Sequence, residues 1–290
     1  MKLFSYLQNG APSIGVVDGT DSSIYADIGE YLSDAPRDMS ALLGSPTALS
    51  ELARMVAAGQ VQKREALSEV HFLPLIPSPG KIVCMGLNYA EHAREGGNPI
   101  PGYPALFLRA ASSQVAHGQP LVKPRVSEQL DFEAELAVVI GRQARYLTQA
   151  NALDCVAGYS LYNDASVRDY QRKSTQWTAG KNFDGTGAFG PWLVTPDELP
   201  RGAAGLRIRS VLNGTTMQDG NTSDFIWNVE QTLVLLSECM TLNPGDVVIT
   251  GTPAGVGYAR KPPVFMCPGD VCEIIIEGIG TLSNPVVAAS

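Results

Sequence analysis

The segment LDFEAELAVVIGR, residues 130–142, decides how the rest of the chain is interpreted. In an extended strand, side chains point alternately to opposite faces of the sheet. One face of this strand is therefore expected to be apolar and consists of Phe132, Ala134, Leu136, Val138 and Ile140. The opposite face carries the carboxylates Asp131, Glu133 and Glu135. The segment predicts a strand packed on a core, with its acidic face either solvated or part of a cation site.

Short strand candidates recur at close intervals around this segment. Besides residues 132–141, they are residues 82–86, 105–109, 158–164, 206–212, 247–250 and 271–277. Asn213-Gly214 follows one of them and predicts a hairpin, because both central positions of a type I′ turn need positive φ. Strands do not alternate with helices as they do in parallel doubly wound sheets. The pattern predicts a β-rich α+β fold.

Two helices are expected among these strands. Ser223-Asp224 offers an N-cap. Apolar residues follow it at helical spacing, namely Phe225, Ile226, Val229, Leu233, Leu236 and Met240. The second helix is expected over about residues 165–173, where it would place Arg168 and Gln171 three residues apart and hence on one face.

The chain is expected to divide into a small and a large domain. Residues 1–72 form the small N-terminal α+β domain, with a strand at 13–17 and a helical stretch at 45–69. Residues 73–80, LPLIPSPG, form a linker, because proline interrupts both helices and inner strands. Residues 81–290 form the main domain.

The composition restricts the class of partner. A formal net charge of −8 and a pI near 4.9 argue against nucleic acid or an anionic membrane surface, since both require clustered Lys and Arg. No apolar run approaches the roughly 20 residues of a transmembrane helix, and the N-terminal segment is too polar for a secretory signal. The five cysteines are odd in number and form no CxxC pair, which indicates a reducing compartment. We expect a cytoplasmic protein.

A third carboxylate follows another strand candidate. Asp164 ends GYSLYND, residues 158–164, directly before the second expected helix, where an N-cap role would also explain it. Together with Glu133 and Glu135 it would offer the oxygen ligands that Mg²⁺ and Mn²⁺ prefer. The three histidines of the chain are far apart in sequence, which argues against a His-rich zinc site.

Two further segments contain residues suited to proton transfer or charge stabilisation. In GLNYAEHAREGG, residues 86–97, a helical turn would bring His92 and Glu95 together, so that the carboxylate orients the imidazole. Such a pair can serve as a general base for water, although an exposed surface pair has the same spacing. Lys181, in GKNFD at 180–184, could neutralise an oxyanion or hold a carboxylate. A surface lysine is the alternative.

Five segments occur in an order that resembles the fumarylacetoacetate hydrolase superfamily, which includes acylpyruvate hydrolases, 2-oxo-acid decarboxylases and 2-hydroxymuconate-type isomerases. They are NYAEHARE (88–95), DFEAELAVVIG (131–141), NDASVRDYQ (163–171), GKNFDGTGAFGPW (180–192) and ITGTPAGVG (249–257). The resemblance covers residues 81–287. It implies a mixed β-sandwich roll with a small N-terminal domain, and a homodimer.

The resemblance also implies a role for nine residues. It makes Glu133, Glu135 and Asp164 the ligands of Mg²⁺ or Mn²⁺. His92 and Glu95 become a water-activating dyad, and Lys181 stabilises developing negative charge. The residues implied to line the substrate pocket are Arg168, Gln171 and Thr252. Leu87 and Arg109-Ala110 depart from many relatives, which have Arg and Lys-Pro there, so substrate preference is not carried over.

The activity implied first is hydrolysis of the C–C bond of an acylpyruvate, such as fumarylpyruvate or maleylpyruvate, in aromatic-compound catabolism. A pyruvoyl group would chelate the metal, and the dyad would activate the water that attacks the C4 carbonyl. The alternative is an isomerase or decarboxylase of a 2-hydroxymuconate-type diacid or oxaloacetate, which needs the same enolate stabilisation but no hydrolytic water. A non-catalytic binding protein would have no use for a positioned base.

Overall fold

The computed structural model describes residues 1–17, 23–32, 34–62 and 65–290. The strands are β1 (Lys2–Gln8), β2 (Ala11–Val17), β3 (Ile24–Asp27), β4 (Glu65–Ala66), β5 (His71–Phe72), β6 (Ile82–Gly86), β7 (Ala105–Arg109), β8 (Gln114–Val115), β9 (Leu121–Lys123), β10 (Leu130–Asp131), β11 (Ala134–Ile140), β12 (Val156–Asn163), β13 (Ser166–Val167), β14 (Gly187–Val194), β15 (Arg207–Leu212), β16 (Thr215–Asn221), β17 (Val247–Ile249), β18 (Val271–Ile276) and β19 (Gly280–Ala288). The α-helices are α1 (Met39–Leu43), α2 (Pro46–Ala57), α3 (Ala90–Glu95), α4 (Arg168–Gln171), α5 (Thr178–Lys181) and α6 (Val229–Cys239). The 3₁₀ turns are Ile28–Glu30, Leu67–Glu69, Ala111–Ser113, Ala152–Cys155, Pro196–Glu198, Arg201–Ala203, Thr222–Asp224 and Gly257–Ala259.

Most strands of the described chain belong to two sheets. The larger sheet has the order β4-β3-β2-β1-β14-β12-β11-β17-β6-β7, with β5 paired to β1 and β8 to β14. The smaller sheet has the order β16-β15-β18-β19-β9. Most neighbours are antiparallel, but β17 pairs with β6, β14 with β8 and β19 with β9 in parallel. The strand-rich mixed fold with few helices confirms the predicted class.

Strand β11 is buried on both faces, which explains its unbroken apolar run after Glu135. Leu136, Val138 and Ile140 pack in a core with residues of the smaller sheet and α6. Ala137 and Val139 pack on the other side in a second core with residues of α1 and α2. Two layers therefore cover the larger sheet, and the acidic end of β11 lies where the apolar run begins.

The N-terminal strands join the main sheet directly. Lys2 and Leu3 of β1 pair with Val194 and Leu193 of β14, and residues 73–80 contain no helix or strand. The division into two domains stays a prediction from the sequence, since one sheet runs through both parts and residues of both parts share a core.

The predicted helical stretch at 45–69 is only partly correct. Ser45 caps α2 by accepting from the backbone N–H of Ala48, at 3.4 Å. The helix ends at Ala57, and Gly59 follows it with a φ of 66°, a conformation that commonly terminates helices. Residues 63–64 lie outside the described residues, and the residues after them form β4 and a 3₁₀ turn.

The remaining predicted strands occur, with ends shifted by one or two residues. The hairpin between β15 and β16 turns at Asn213-Gly214, where φ is 51° and 77°. Both positions thus have the positive φ that the residue types indicated.

The predicted N-cap at Ser223-Asp224 is wrong. These residues belong to a 3₁₀ turn, and α6 begins at Val229 behind the cap Asn228. Asn228 and Gln231 form a reciprocal capping box, with each side chain accepting from the other's backbone N–H at 2.9 and 3.0 Å. Residues 226–227 cannot join the helix because their backbone bonds to Asn88, which accepts from Trp227 N at 2.8 Å and from Ile226 N at 2.7 Å.

The second predicted helix, over about 165–173, is shorter than expected. Ser166 and Val167 form β13 instead, because they pair with Asp131 and Leu130 of β10. Helix α4 covers Arg168–Gln171. Within the described ranges, no helix has both the length and the apolar character needed to cross a membrane.

We predict that Asn228→Ala lowers the free energy of unfolding by about 1 kcal/mol, because it removes the side-chain cap of α6. Ser223→Ala should change it by less than about 0.5 kcal/mol. Urea denaturation of both variants measures the difference. A larger loss of unfolding free energy for Ser223→Ala than for Asn228→Ala would instead support Ser223 as the N-cap, as expected from the sequence.

Candidate active site

The antiparallel pairing of β11 and β12 brings the three predicted metal ligands together. Ala134 at the start of β11 lies opposite Asn163 at the end of β12. Glu133 and Asp164, the next residues outward, are joined by a backbone hydrogen bond from Asp164 N to Glu133 O of 3.0 Å. Carboxylate oxygens of Glu133, Glu135 and Asp164 all lie within 4.8 Å of one another, and all three residues are buried. A solvated strand face is thereby excluded.

Two of these carboxylates are paired with buried cations. Glu133 accepts from Arg168 Nη2 at 2.7 Å and from Lys181 Nζ. Asp164 accepts from Lys181 Nζ at 2.5 Å and from Arg109 Nη1 at 2.6 Å. Burial raises the pKa of Glu133, but the charges of Arg168 and Lys181 outweigh it and hold that pKa below its ordinary value. Asp164 does not cap α4, which was the other explanation for its position.

Glu135 differs from its neighbours because it contacts no cation among the described residues. Its Oε2 accepts one hydrogen bond, from the backbone N–H of Gly251 at 2.5 Å. Burial, together with the charges of Asp164 and Glu133, raises the pKa of Glu135 well above its ordinary value. This carboxyl therefore holds its proton to higher pH than an ordinary glutamic acid, and further positive charge in the cluster would favour its ionised form.

The charge count of the cluster fits a divalent cation. The buried carboxylates around it are Asp131, Glu133, Glu135 and Asp164. The buried cations that contact them are Arg109, Arg168 and Lys181. One carboxylate is therefore left without a balancing charge. Three converging oxygen donors with no histidine among them are the ligand type that Mg²⁺ and Mn²⁺ prefer.

Lys181 is buried, with 2% of its surface exposed, so the surface-lysine alternative is excluded. It ends α5, which packs against α4 at Gly180, where a Cβ would overlap the backbone of Gln171. Its ammonium also lies 4.9 Å from the centre of the Phe107 ring. Burial lowers the pKa of Lys181, but the charges of Asp164 and Glu133 raise it above its ordinary value.

His92 and Glu95 form the pair that the helical spacing predicted. Both lie on α3, where His92 Nδ1 donates to Glu95 Oε1 at 2.8 Å. The Glu95 carboxylate is held in turn by the backbone N–H of Gly255, at 2.9 and 3.1 Å from its two oxygens. His92 is buried, with 6% of its surface exposed. The bond at Nδ1 leaves Nε2 as the nitrogen for a ligand.

The residues predicted to bind substrate already contact other parts of the protein. Arg168 donates through Nε to Asp131 at 2.7 Å and through Nη1 to Gln171 Oε1 at 2.9 Å, in addition to its bond with Glu133. Thr252 Oγ1 donates to Ala134 O at 2.9 Å and accepts from Gln218 Nε2 at 2.7 Å. Arg168 and Gln171 therefore hold each other, and Arg168 positions Glu133.

A cavity of about 350 Å³ joins these groups. Eight of the nine predicted site residues line it; Glu95 lies behind His92. The cavity is therefore lined by residues from six parts of the chain: α3, the start of β11, the end of β12, α4, α5 and the segment after β17.

Sequence reasoning missed the contact between Arg109 and Asp164. Arg109 ends β7 and is fully buried at its guanidinium, where it also donates to Ala165 O at 3.1 Å and to Thr186 Oγ1 at 3.0 Å. The sequence marked it only as a departure from the Lys-Pro pair of relatives. An arginine after an apolar strand gives no signal of which carboxylate it will meet, since Asp164 is 55 residues away.

Comparison with known proteins identifies the family of this chain. The sequence model of the family described as fumarylacetoacetate (FAA) hydrolase C-terminal matches residues 81–287. Human mitochondrial oxaloacetate tautomerase FAHD2A is 37% identical over 95% of this chain and 88% of its own.

Two solved structures extend the comparison over the full length of both chains. A fumarylacetoacetate hydrolase from Exiguobacterium antarcticum has a TM-score of 0.85 at 34% identity. A maleylpyruvate hydrolase from Sphingobium sp. SYK-6, in complex with manganese(II) and pyruvate, has a TM-score of 0.82 at 28% identity. The chain belongs to the fumarylacetoacetate hydrolase family, whose members are enzymes.

We predict that binding of Mn²⁺ releases a proton from Glu135 at any pH below the raised pKa of this carboxyl. The cation must displace the proton there, and affinity should rise with pH until that pKa is reached. Calorimetric titration with Mn²⁺ in two buffers of different ionisation enthalpy counts the protons released.

The Glu135→Gln variant should bind Mn²⁺ at least tenfold more weakly and release no proton, because it has lost a charged ligand. Glu128→Gln, at a carboxylate with 85% of its side chain exposed, is the matched control. Equal heats in both buffers for the unaltered protein would contradict the assignment.

Proposed function

We propose that the protein is a divalent-metal-dependent enzyme that moves a proton at C3 of a 2-oxo acid, and that its reaction is keto–enol tautomerisation of oxaloacetate. The observation that carries this proposal is the placing of a buried, carboxylate-oriented imidazole in the same cavity as three converging carboxylates. The relatives named as oxaloacetate tautomerases support it, since they align with 95% of the chain.

Glu133, Glu135 and Asp164 would hold the metal. When bound, the cation would take up the carboxylate and 2-oxo oxygens of the substrate and withdraw electron density from the carbonyl, which acidifies the C3 protons. Glu133 and Asp164 are pre-positioned for this by Arg168 and Arg109, so they do not have to give up solvation when the substrate arrives.

His92 is the group suited to carry the proton. Its Nε2 takes a proton from C3 or returns one, while Glu95 stabilises the imidazolium through Nδ1–H. Gly255 fixes the Glu95 carboxylate and thereby the plane of the ring. Lys181 provides positive charge beside the same carboxylates and would stabilise negative charge on the 2-oxo oxygen.

Hydrolysis of an acylpyruvate is the second candidate and was the first expectation from the sequence. It is favoured by the likeness to a maleylpyruvate hydrolase in complex with manganese and pyruvate. The same imidazole would deprotonate a water instead of C3, and the enolate of pyruvate would leave. Decarboxylation of oxaloacetate would require the metal and Lys181 to stabilise the enolate, but not the His92–Glu95 pair. A non-catalytic binding protein would leave the dyad without a role.

We also propose that the protein works as a homodimer in the cytoplasm, without a nucleic-acid or membrane partner. The family resemblance supports the dimer. The net charge of −8 supports the absence of a phosphate-rich partner. The vertebrate relatives are named as mitochondrial, which does not support the cytoplasmic location.

The test is to follow conversion of enol-oxaloacetate to the keto form by ultraviolet absorbance, with Mg²⁺ or Mn²⁺ present and after chelation. We expect activity only with metal. His92→Ala and Glu95→Ala should each lower kcat by about 10²-fold or more, and the double variant should lose little more, because the two residues act as a unit. Arg145→Ala, at an arginine stacked on Tyr146 away from the cavity, is the control.

The same preparations should be assayed with fumarylpyruvate and maleylpyruvate, with products identified by mass. Cleavage to pyruvate faster than tautomerisation of oxaloacetate would establish the second candidate in place of the first. Full activity in excess chelator after dialysis would overturn both.

A further inference from the structure

Arg172 differs from the other arginine and lysine side chains that line the cavity, because it forms no ion pair within the described residues. It follows α4 with helical backbone angles and lines the cavity. Arg168 and Lys181, the other lining cations, are committed to Asp131, Glu133 and Asp164. Within the described residues, Arg172 makes no ion pair with a carboxylate. Its guanidinium is therefore free to take a carboxylate from outside.

The position of Arg172 relative to the carboxylate cluster follows from α4. Arg172 lies four residues after Arg168, so the two side chains share one face and their Cβ atoms are about 6 Å apart. Arg168 contacts Glu133 at 2.7 Å. Arg172 thus lies one helical turn beyond the cluster, a span that suits a short substrate with a charged group at each end.

Tyr258 holds Arg172 in this position. The guanidinium of Arg172 lies 4.4 Å from the centre of the Tyr258 ring, and that of Arg168 lies 4.6 Å from the same ring. The backbone N–H of Tyr258 donates to Asp131 at 3.1 Å, which anchors the backbone that carries this ring. A stacked guanidinium keeps its N–H groups in its own plane, where they remain available for a bidentate bond to a carboxylate.

A contact between Arg172 and a substrate carboxylate would be favourable for a diacid. One carboxylate of a 2-oxo diacid would be taken up with the 2-oxo oxygen at the cluster, but the second would enter a cavity also lined by Glu133, Glu135 and Asp164. A carboxylate that leaves water for a cavity is stabilised when a cation pairs with it. Arg168 and Lys181 are already paired with carboxylates of the protein, which leaves Arg172 for this contact.

We propose that Arg172 is the specificity-determining residue that binds the second carboxylate of the substrate, so that the enzyme selects 2-oxo dicarboxylic acids over 2-oxo monocarboxylic acids. This proposal rests on the proposed function, because it assumes that the 2-oxo end is held at the carboxylate cluster. It assigns no chemical step to Arg172.

The test compares oxaloacetate with 2-oxobutanoate, in which a methyl group replaces the second carboxylate. Exchange of C3 protons for deuterium, followed by NMR with Mg²⁺ present and corrected for the uncatalysed rate, reports proton transfer for both compounds. Arg172→Met should lower kcat/KM for oxaloacetate by about ten- to a hundredfold, as expected for loss of a charge-assisted hydrogen-bonded pair. Its kcat/KM for 2-oxobutanoate should stay within about twofold.

Two matched variants separate recognition from general effects of charge. Lys173→Met removes the neighbouring cation, which lies over the Tyr170 ring outside the cavity lining. It should change kcat/KM for neither oxaloacetate nor 2-oxobutanoate. Arg172→Lys keeps the charge without the bidentate geometry and should recover part of the preference for oxaloacetate. Equal loss for both compounds in Arg172→Met, or no loss for either, would overturn the proposal.

A binding measurement separates this proposal from the proposed function. Calorimetry with oxaloacetate and 2-oxobutanoate on the Mn²⁺-loaded protein needs no turnover. If the unaltered protein catalyses exchange in neither compound yet binds oxaloacetate more tightly, and Arg172→Met removes that preference, the reaction is wrong and the role of Arg172 stands. If exchange occurs but the preference survives in Arg172→Met, the role of Arg172 is wrong and the reaction stands.

Discussion

The burial of several carboxylates at the junction of β11 and β12 is the constraint on which the rest of the site depends. Taking one carboxylate out of water is costly unless it is paired and hydrogen-bonded. For Glu133 and Asp164, this desolvation free energy is offset by ion pairs with Arg168, Lys181 and Arg109, which come from three other elements. Glu135 has no such ion pair, and its pKa is raised by burial and by the neighbouring carboxylates. This is why we propose that a cation completes the cluster.

The same constraint explains why short elements surround the cavity. Helices α4 and α5 have four residues each, too few to be stable alone. They are held by Arg168 and Lys181, which bond to the acidic residues, and by the close approach of Gly180 to Gln171. Residues proposed to act in binding or catalysis, such as Arg168 and Lys181, are consequently also structural cations. Replacing one of them changes both the structure of the site and its charge. Arg172 and His92 form no ion pair with these acidic residues, so variants at these two positions test function with less structural change.

The sequence predicted the fold and much of the site because its strongest signals are local. Alternation in residues 130–142 identified the core side chains of β11 and the convergence of Glu133 with Glu135, although β11 begins only at Ala134. The i, i+3 spacing identified the bond between His92 and Glu95. The N-cap of α6 was misplaced because Asn88, more than 130 residues earlier, bonds to the backbone of residues 226–227. Arg109 was missed for the same reason, since its partner is determined by strand order and not by spacing. Nothing local marks Arg172 either; its significance depends on which of its neighbours are already paired.

We propose that Glu133, Glu135 and Asp164 together hold one divalent cation. Anomalous diffraction at the manganese edge from crystals grown with Mn²⁺ tests this. We expect a single peak in the cavity at about 2.0 to 2.6 Å from an oxygen of each of the three carboxylates, the range in which hard cations bind oxygen ligands. A cavity without a peak at saturating Mn²⁺, with the Glu135 carboxyl still bonded only to Gly251, would contradict it.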